Sequence, residues 1–174
     1  SIALAGILAA MKVKKEKMSD QIFLVHGAGA GGVGIAEQIM TELIVEGMDE
    51  QSAIDRIYTL DSKGIVTTDR DLEPYKIKFA KDPSKMEWLK NPEDNTLFNA
   101  VKNEKVTVLI GTSGQPGCFS EAVVKAVQQN TDRPVVLPLS NPTAKTEALP
   151  EDLYRWTDGK ALIATGSPFA DVIH

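Results

Sequence analysis

The chain has 174 residues, 43% hydrophobic and 25% charged, enough for one α/β domain with a core of its own. Its formal net charge of -5 excludes the basic footprint of a nucleic-acid or anionic-membrane binder. The single cysteine, Cys118, excludes an intrachain disulfide and fits a reducing, cytoplasmic compartment.

Residues 1–15 are rich in Ala, Leu and Ile and read as a mostly buried helix. The apolar run from Ile2 to Met11 is too short to span a bilayer. Lys12, Lys14, Lys15 and Lys17 follow it, and no basic segment precedes it, so it does not read as a signal peptide. The chain opens on Ser1 without an initiator methionine, and residues 1–174 are expected to be one domain of a longer chain.

Residues 14–20 form a charged break. Residues 21–26 are a short continuous apolar run around Ile22-Phe23-Leu24-Val25, the pattern of a strand covered on both faces. Over residues 32–46, Val33, Ala36, Ile39, Met40 and Leu43 recur at helical spacing, with Gly47 placed to close the helix. Residues 49–55 read as a short helix and 57–60 as a second strand, ending in the turn Asp61-Ser62-Lys63-Gly64. Residues 69–95 are polar, carry Pro74, Pro83 and Pro92, and are expected to loop over the surface.

Residues 96–103 read as a helix, and 106–110 as a third strand closed by Gly111-Thr112-Ser113-Gly114. Residues 120–129 are a helix with Ser120 as N-cap. A fourth strand, 134–139, is closed by Ser140-Asn141-Pro142-Thr143. A helix over 150–156 leads to a fifth strand, 161–165, closed by Gly166-Ser167-Pro168. Helices alternating with continuous apolar strands predict a doubly wound parallel sheet with helices on both faces, a Rossmann-type α/β domain.

The string Gly27-Ala28-Gly29-Ala30-Gly31-Gly32 gains meaning from its context, a strand before it and a helix after it. Gly27 permits the tight turn, Gly29 lets a pyrophosphate approach the backbone, and Gly32 lets the helix pack closely on the strand. The phosphates then meet free N–H groups and the positive end of the helix dipole. The plainer reading is a glycine-rich turn without a ligand. Asp61, ending the second strand, is placed to accept hydrogen bonds from adenosine ribose hydroxyls, or merely to begin a turn. Its acceptors favour NAD, whereas Ser62, Lys63 and Lys76 supply what a 2′-phosphate needs, so NAD and NADP both stay open.

Ligands of such sheets lie outside the carboxyl ends of the strands. Three further strand ends there carry small polar segments, each of which could be a plain turn. Asn141 is the most specific candidate, because its amide both donates and accepts. A base for hydride chemistry is not evident. His26 reads as a core residue, His174 is terminal, Cys118 has no obvious base partner, and no His/Asp/Glu cluster has metal-ligand spacing.

These strings, in this order, resemble the malic enzymes. The matching segments are Ala3-Leu4-Ala5-Gly6, Gly27-Ala28-Gly29 through Gly34-Ile35-Ala36, Asp61, and Ile110-Gly111-Thr112-Ser113-Gly114. The most specific are Arg133-Pro134 leading to Leu139-Ser140-Asn141-Pro142-Thr143, and Ala164-Thr165-Gly166-Ser167-Pro168-Phe169. The resemblance is strongest to bacterial members of the large-subunit type, and malolactic enzymes are close relatives. It implies conversion of malate to pyruvate and CO2 with NAD or NADP and Mg2+ or Mn2+, in a homo-oligomer when the chain is whole. It places Gly27, Ala28, Gly29, Ala30 and Gly31 on the pyrophosphate, with Gly32 completing the cofactor-binding turn, and Asp61 on the adenosine ribose. Thr112 and Ser113 fall beside the cofactor, Asn141 near nicotinamide and substrate, and Gly166 against the cofactor. Ser62 and Lys76 occupy places that help read a 2′-phosphate in NADP-dependent relatives. The family's catalytic tyrosine and lysine and its metal carboxylates precede this segment, and a second substrate asparagine lies beyond it. No catalytic or metal residue is therefore assigned, and the chain is expected to bind cofactor without catalysing alone. The alternatives are a malolactic cofactor domain and a non-catalytic dinucleotide-sensing module.

Overall fold

The computed structural model describes residues 1–166. Among them, six α-helices alternate with six strands: α1 (Ile2–Lys14), β1 (Phe23–His26), α2 (Ala30–Val45), α3 (Glu50–Asp55), β2 (Ile57–Asp61), β3 (Gly64–Ile65), α4 (Leu97–Asn103), β4 (Val108–Gly111), α5 (Glu121–Asn130), β5 (Val135–Pro138), α6 (Pro150–Trp156) and β6 (Leu162–Ile163). The strands form one sheet in the order β3-β2-β1-β4-β5-β6. All pairings are parallel except that of β3, which folds back on β2 through Leu60↔Ile65 and Asp61↔Gly64. The five expected strands form the expected parallel sheet, and β3 is a sixth, antiparallel strand at its edge that the sequence does not announce. The predicted turn at residues 61–64 is the loop of a hairpin, and a two-residue strand is too short to show a period in sequence. The strand order reverses between β1 and β4, which opens a crevice at their carboxyl ends.

Side chains alternate across the sheet. Phe23, Val25, Val108, Ile110, Val135, Leu137 and Leu162 enter a core shared with α1, α2 and α3. Leu24, Leu109, Val136 and Ile163 enter a second core with α4, α5 and α6. Both faces are covered, so the strands read as continuous apolar runs rather than alternating ones.

The five apolar positions expected to face inward from α2 are all buried. The helix begins at Ala30 rather than Gly32, because its first turn is glycine and alanine and carries no periodic signal. At its other end Glu46 is the C-cap and Gly47, at φ 109°, follows it. The Gly47 N–H donates to the Ile44 carbonyl (2.9 Å) and that of Met48 to Leu43 (3.1 Å), the paired bonds that close a helix through a left-handed glycine. Ser120 caps α5 by accepting from the Val123 amide at 3.3 Å. The polar stretch holds three short 3-10 turns, each opened by one of the prolines, whose fixed φ suits a first helical position. No helix among the described residues is long and apolar enough to cross a membrane.

Candidate cofactor site

Beyond His26 the chain turns at Gly27, whose φ of 122° L side chains rarely adopt. A Cβ there would fall 2.4 Å from Thr112 Oγ1, and one on Gly32 would fall 1.8 Å from the Gly27 carbonyl oxygen. These two glycines let the turn and the helix close on each other. Gly29 is different, since a Cβ there meets nothing within 4 Å. Ala28 is buried under the turn, while Gly29, Ala30 and Gly31 are exposed. Gly29 is the N-cap of α2 and contributes no side-chain cap. The amides of Ala30, Gly31 and Gly32 thus have no partner within the helix, at its positive end. Open backbone, unpaired donors and a favourable dipole fit a pyrophosphate.

Asp61 ends β2 at the same edge of the sheet. Its carboxylate is forked by Arg70: Nη1 donates to Oδ1 at 3.2 Å, and Nη2 meets Oδ2. Lys76 Nζ lies 3.9 Å from Oδ2, and the Lys63 amide donates to Oδ1 at 2.9 Å. Burial pushes the Asp61 carboxyl up, but the Arg70 hydrogen bond, the Lys63 amide and the charges of Arg70 and Lys76 outweigh it and hold the group below its ordinary value. Ser62 is exposed in the hairpin loop. Arg70 was not legible as a partner, because it lies nine positions beyond Asp61, past the β3 hairpin, and only the fold of that loop brings it back.

The β4, β5 and β6 ends supply the other half. The Thr112 amide donates to His26 O (2.8 Å) and its hydroxyl to Gly27 O (3.1 Å), so β4 props the glycine turn. The Ser113 amide and hydroxyl both donate to Glu147 Oε2, at 2.9 and 3.0 Å. Ser140 donates from its hydroxyl to Oε2 (2.5 Å) and from its amide to Oε1 (3.3 Å). Asn141 Nδ2 donates to Gly166 O at 3.3 Å. A Cβ on Gly166 would fall 2.6 Å from Leu139 O and 2.9 Å from Asn141 Nδ2, so only glycine fits beside the asparagine. Glu147 escaped the sequence reading, because the serines that meet it lie 34 and 7 residues away and only the fold brings them together. Ser167, Pro168, Phe169 and His174 lie outside the described residues.

Cys118, given no partner in the sequence reading, has one. His26 Nδ1 lies 3.6 Å from its Sγ, brought there by the pairing of β1 with β4. Burial raises the thiol to about 11; the Ser113 hydroxyl pulls it down, and the smaller effect of the Glu147 charge adds to the rise. The sulfur is therefore a thiol at neutral pH and a poor nucleophile. Among the described residues no group of three or more His, Cys, Asp or Glu side chains could hold a metal ion.

A sheet with this reversal, a glycine turn against a helix N-terminus at the crevice, and polar residues on the adjoining strand ends together define a dinucleotide-binding domain. The whole chain, residues 1–174, matches the family described as "Malic enzyme, NAD binding domain", and it belongs to that family. It is 42% identical over 174 residues to an NAD-dependent malic enzyme of Acinetobacter baylyi, covering 99% of this chain and 31% of that one. It is 46% identical over 173 residues to a malolactic enzyme of Leuconostoc mesenteroides, covering 98% and 31%. The crystal structure of an NAD-dependent malic enzyme from Thermotoga maritima shares the fold, with a TM-score of 0.68 and 24% identity over 97% of this chain and 39% of that one. The chain thus spans about a third (31%) of the length of the curated relatives it matches.

Proposed function

We propose that residues 1–174 hold the nicotinamide cofactor for a longer malic enzyme, which oxidises and decarboxylates malate to pyruvate and CO2. The observation that carries this reading is the open face above Gly29, at the uncapped N-terminus of α2. The pyrophosphate is assigned to Gly27–Gly32, the adenosine ribose to Asp61, and the nicotinamide and malate to the neighbourhood of Thr112, Ser113, Asn141 and Gly166. Bound NAD would accept the hydride from malate. The described residues do not fit a metal ion; by the family resemblance, the Mg2+ or Mn2+ of the reaction would be held by carboxylates that precede this segment. Arg70 and Lys76 beside Asp61 favour tolerance of a 2′-phosphate as well.

Calorimetric titration with NAD and NADP tests the reading, on wild type and on Gly29→Val. Binding that the substitution abolishes supports it; binding that survives the substitution refutes the pyrophosphate assignment. The identity with a malolactic enzyme favours one second reading, in which the cofactor is retained and lactate is released. Product analysis on the natural full-length protein decides: net NADH with pyruvate selects the malic reading, lactate without net NADH the malolactic one.

A further inference from the structure

We infer that Glu147 is a positioning residue for the nicotinamide half of the cofactor site. Its side chain is wholly buried, with 0% exposure. A buried carboxylate is costly unless its lone pairs are met by donors. Here four donors meet it, all from two residues: the amide and hydroxyl of Ser113, and the amide and hydroxyl of Ser140. Among the described residues no basic side chain forms an ion pair with it. Its stability therefore comes from holding two strand ends, not from neutralising a charge.

Those strand ends belong to adjacent strands. Ser113 follows β4 and Ser140 follows β5, beside the switch point. One oxygen, Oε2, takes three of the four bonds, so the carboxylate clips both loops at a single point. The clip also sets hydroxyl directions. Ser140 gives its proton to Glu147 and turns its lone pairs to the Gly114 amide, which donates at 2.8 Å. Ser113 likewise gives its proton to Glu147 and accepts from the Gln115 amide at 3.1 Å. The next residue after Ser140 is Asn141, itself tied to the end of β6 through Gly166. Room is reserved for the carboxylate: a Cβ on Gly111 would lie 2.4 Å from Glu147 Cδ. Four residues of three strand ends are thus referred to one buried group.

This inference rests on the dinucleotide reading but makes a narrower claim. A doubly wound sheet binds the two halves of a dinucleotide on opposite sides of its switch point. Glu147 touches only the β4 and β5 side, so its loss acts on the nicotinamide end and spares the adenosine end. Glu147→Gln keeps the volume but presents an NH2 donor to amide and hydroxyl donors, so at least one of the four bonds is lost.

The test compares wild type, Glu147→Gln and Glu147→Asp in the natural full-length protein, with NAD and with ADP-ribose as ligands, by calorimetry. ADP-ribose carries the adenosine and pyrophosphate but no nicotinamide. Glu147→Gln is expected to weaken NAD about 10-fold and ADP-ribose less than twofold, and Glu147→Asp, which keeps the acceptors, to recover part of the loss. Combining Glu147→Gln with Ser140→Ala should add little further loss, because both break one unit. Equal weakening of both ligands would mean a general structural role and would overturn the inference. So would unchanged NAD affinity, which leaves the cofactor reading standing. Failure of wild type to bind either ligand would bring down the cofactor reading and the inference with it.

Discussion

Arg70 grips the Asp61 carboxylate with both terminal nitrogens, at the end of β2 where a dinucleotide places its adenosine ribose. The acceptors that a ribose diol needs are therefore shared with a guanidinium, and Lys76 stands close by. Each carboxylate oxygen has more than one lone-pair direction, so the ion pair orients Asp61 without exhausting it. Asp61→Ala should weaken NAD about 10- to 100-fold, the worth of one or two bonds to a charged group. Arg70→Ala should weaken NADP more than NAD, because a 2′-phosphate gains from the cation that a hydroxyl needs less. Titration of the three proteins with both cofactors checks this. Equal losses for both cofactors in Arg70→Ala would remove Arg70 from 2′-phosphate recognition.

The glycines of the turn should separate into two kinds. Gly29→Val places its side chain in open space, so the thermal midpoint should move by only a few degrees while cofactor affinity is lost. Gly32→Ala drives a methyl group into the Gly27 carbonyl, at 1.8 Å. Backbone must move there, so the variant should lose roughly 1–3 kcal/mol or more of stability. Denaturant unfolding and cofactor titration on both variants would show the crossed pattern. A destabilised Gly29→Val with intact binding would contradict the geometry.

This contrast shows what the sequence could and could not reveal. The turn was legible because it depends on residue types at fixed local spacing, as were the alternating elements and the buried face of α2. Asn141 and Gly166 were legible as members of small strand-end turn segments, though not as hydrogen-bonded partners. Glu147, Arg70 and the His26–Cys118 pair were not, because their partners are set by tertiary placement. Glu147 lies 34 residues from Ser113, and His26 lies 92 from Cys118. The hairpin of β3 was hidden for a different reason: Gly64 and Ile65 are too few to show alternation.

His26 makes stability depend on mildly acidic pH. Burial pushes its imidazole down, and the charges of Glu147 and Asp61 offset this only in part. The unfolded chain takes up a proton near pH 6.5, while the folded protein does so only at lower pH. Between those values the unfolded state holds more protons, so stability falls as pH drops. It should be full above about pH 6.5 and decline below it, through the folded value. Thermal melts from pH 7.5 to 5 should show this decline, and His26→Gln should flatten it. An unchanged pH profile in that variant would assign the acid sensitivity elsewhere.

Lys81 should act in the same direction on the alkaline side, where stability again rises with pH. Its ammonium donates to the Ile54 carbonyl at 2.7 Å and lies 4.9 Å from the centre of the Tyr58 ring. Burial lowers it from its ordinary 10.5 to about 8, although Asp55 and Glu104 pull the other way. Between these values the folded protein has released a proton that the unfolded chain still holds. More protons in the unfolded state make stability rise with pH, so this group should add stability from about pH 8 up to 10.5. Lys81→Met keeps the length of the side chain and removes the titration. Its melting temperature should therefore rise less between pH 8 and 10 than that of wild type, measured in matched ionic strength because surface charges also respond there. If both proteins gave the same slope, the buried ammonium would not be the group that titrates.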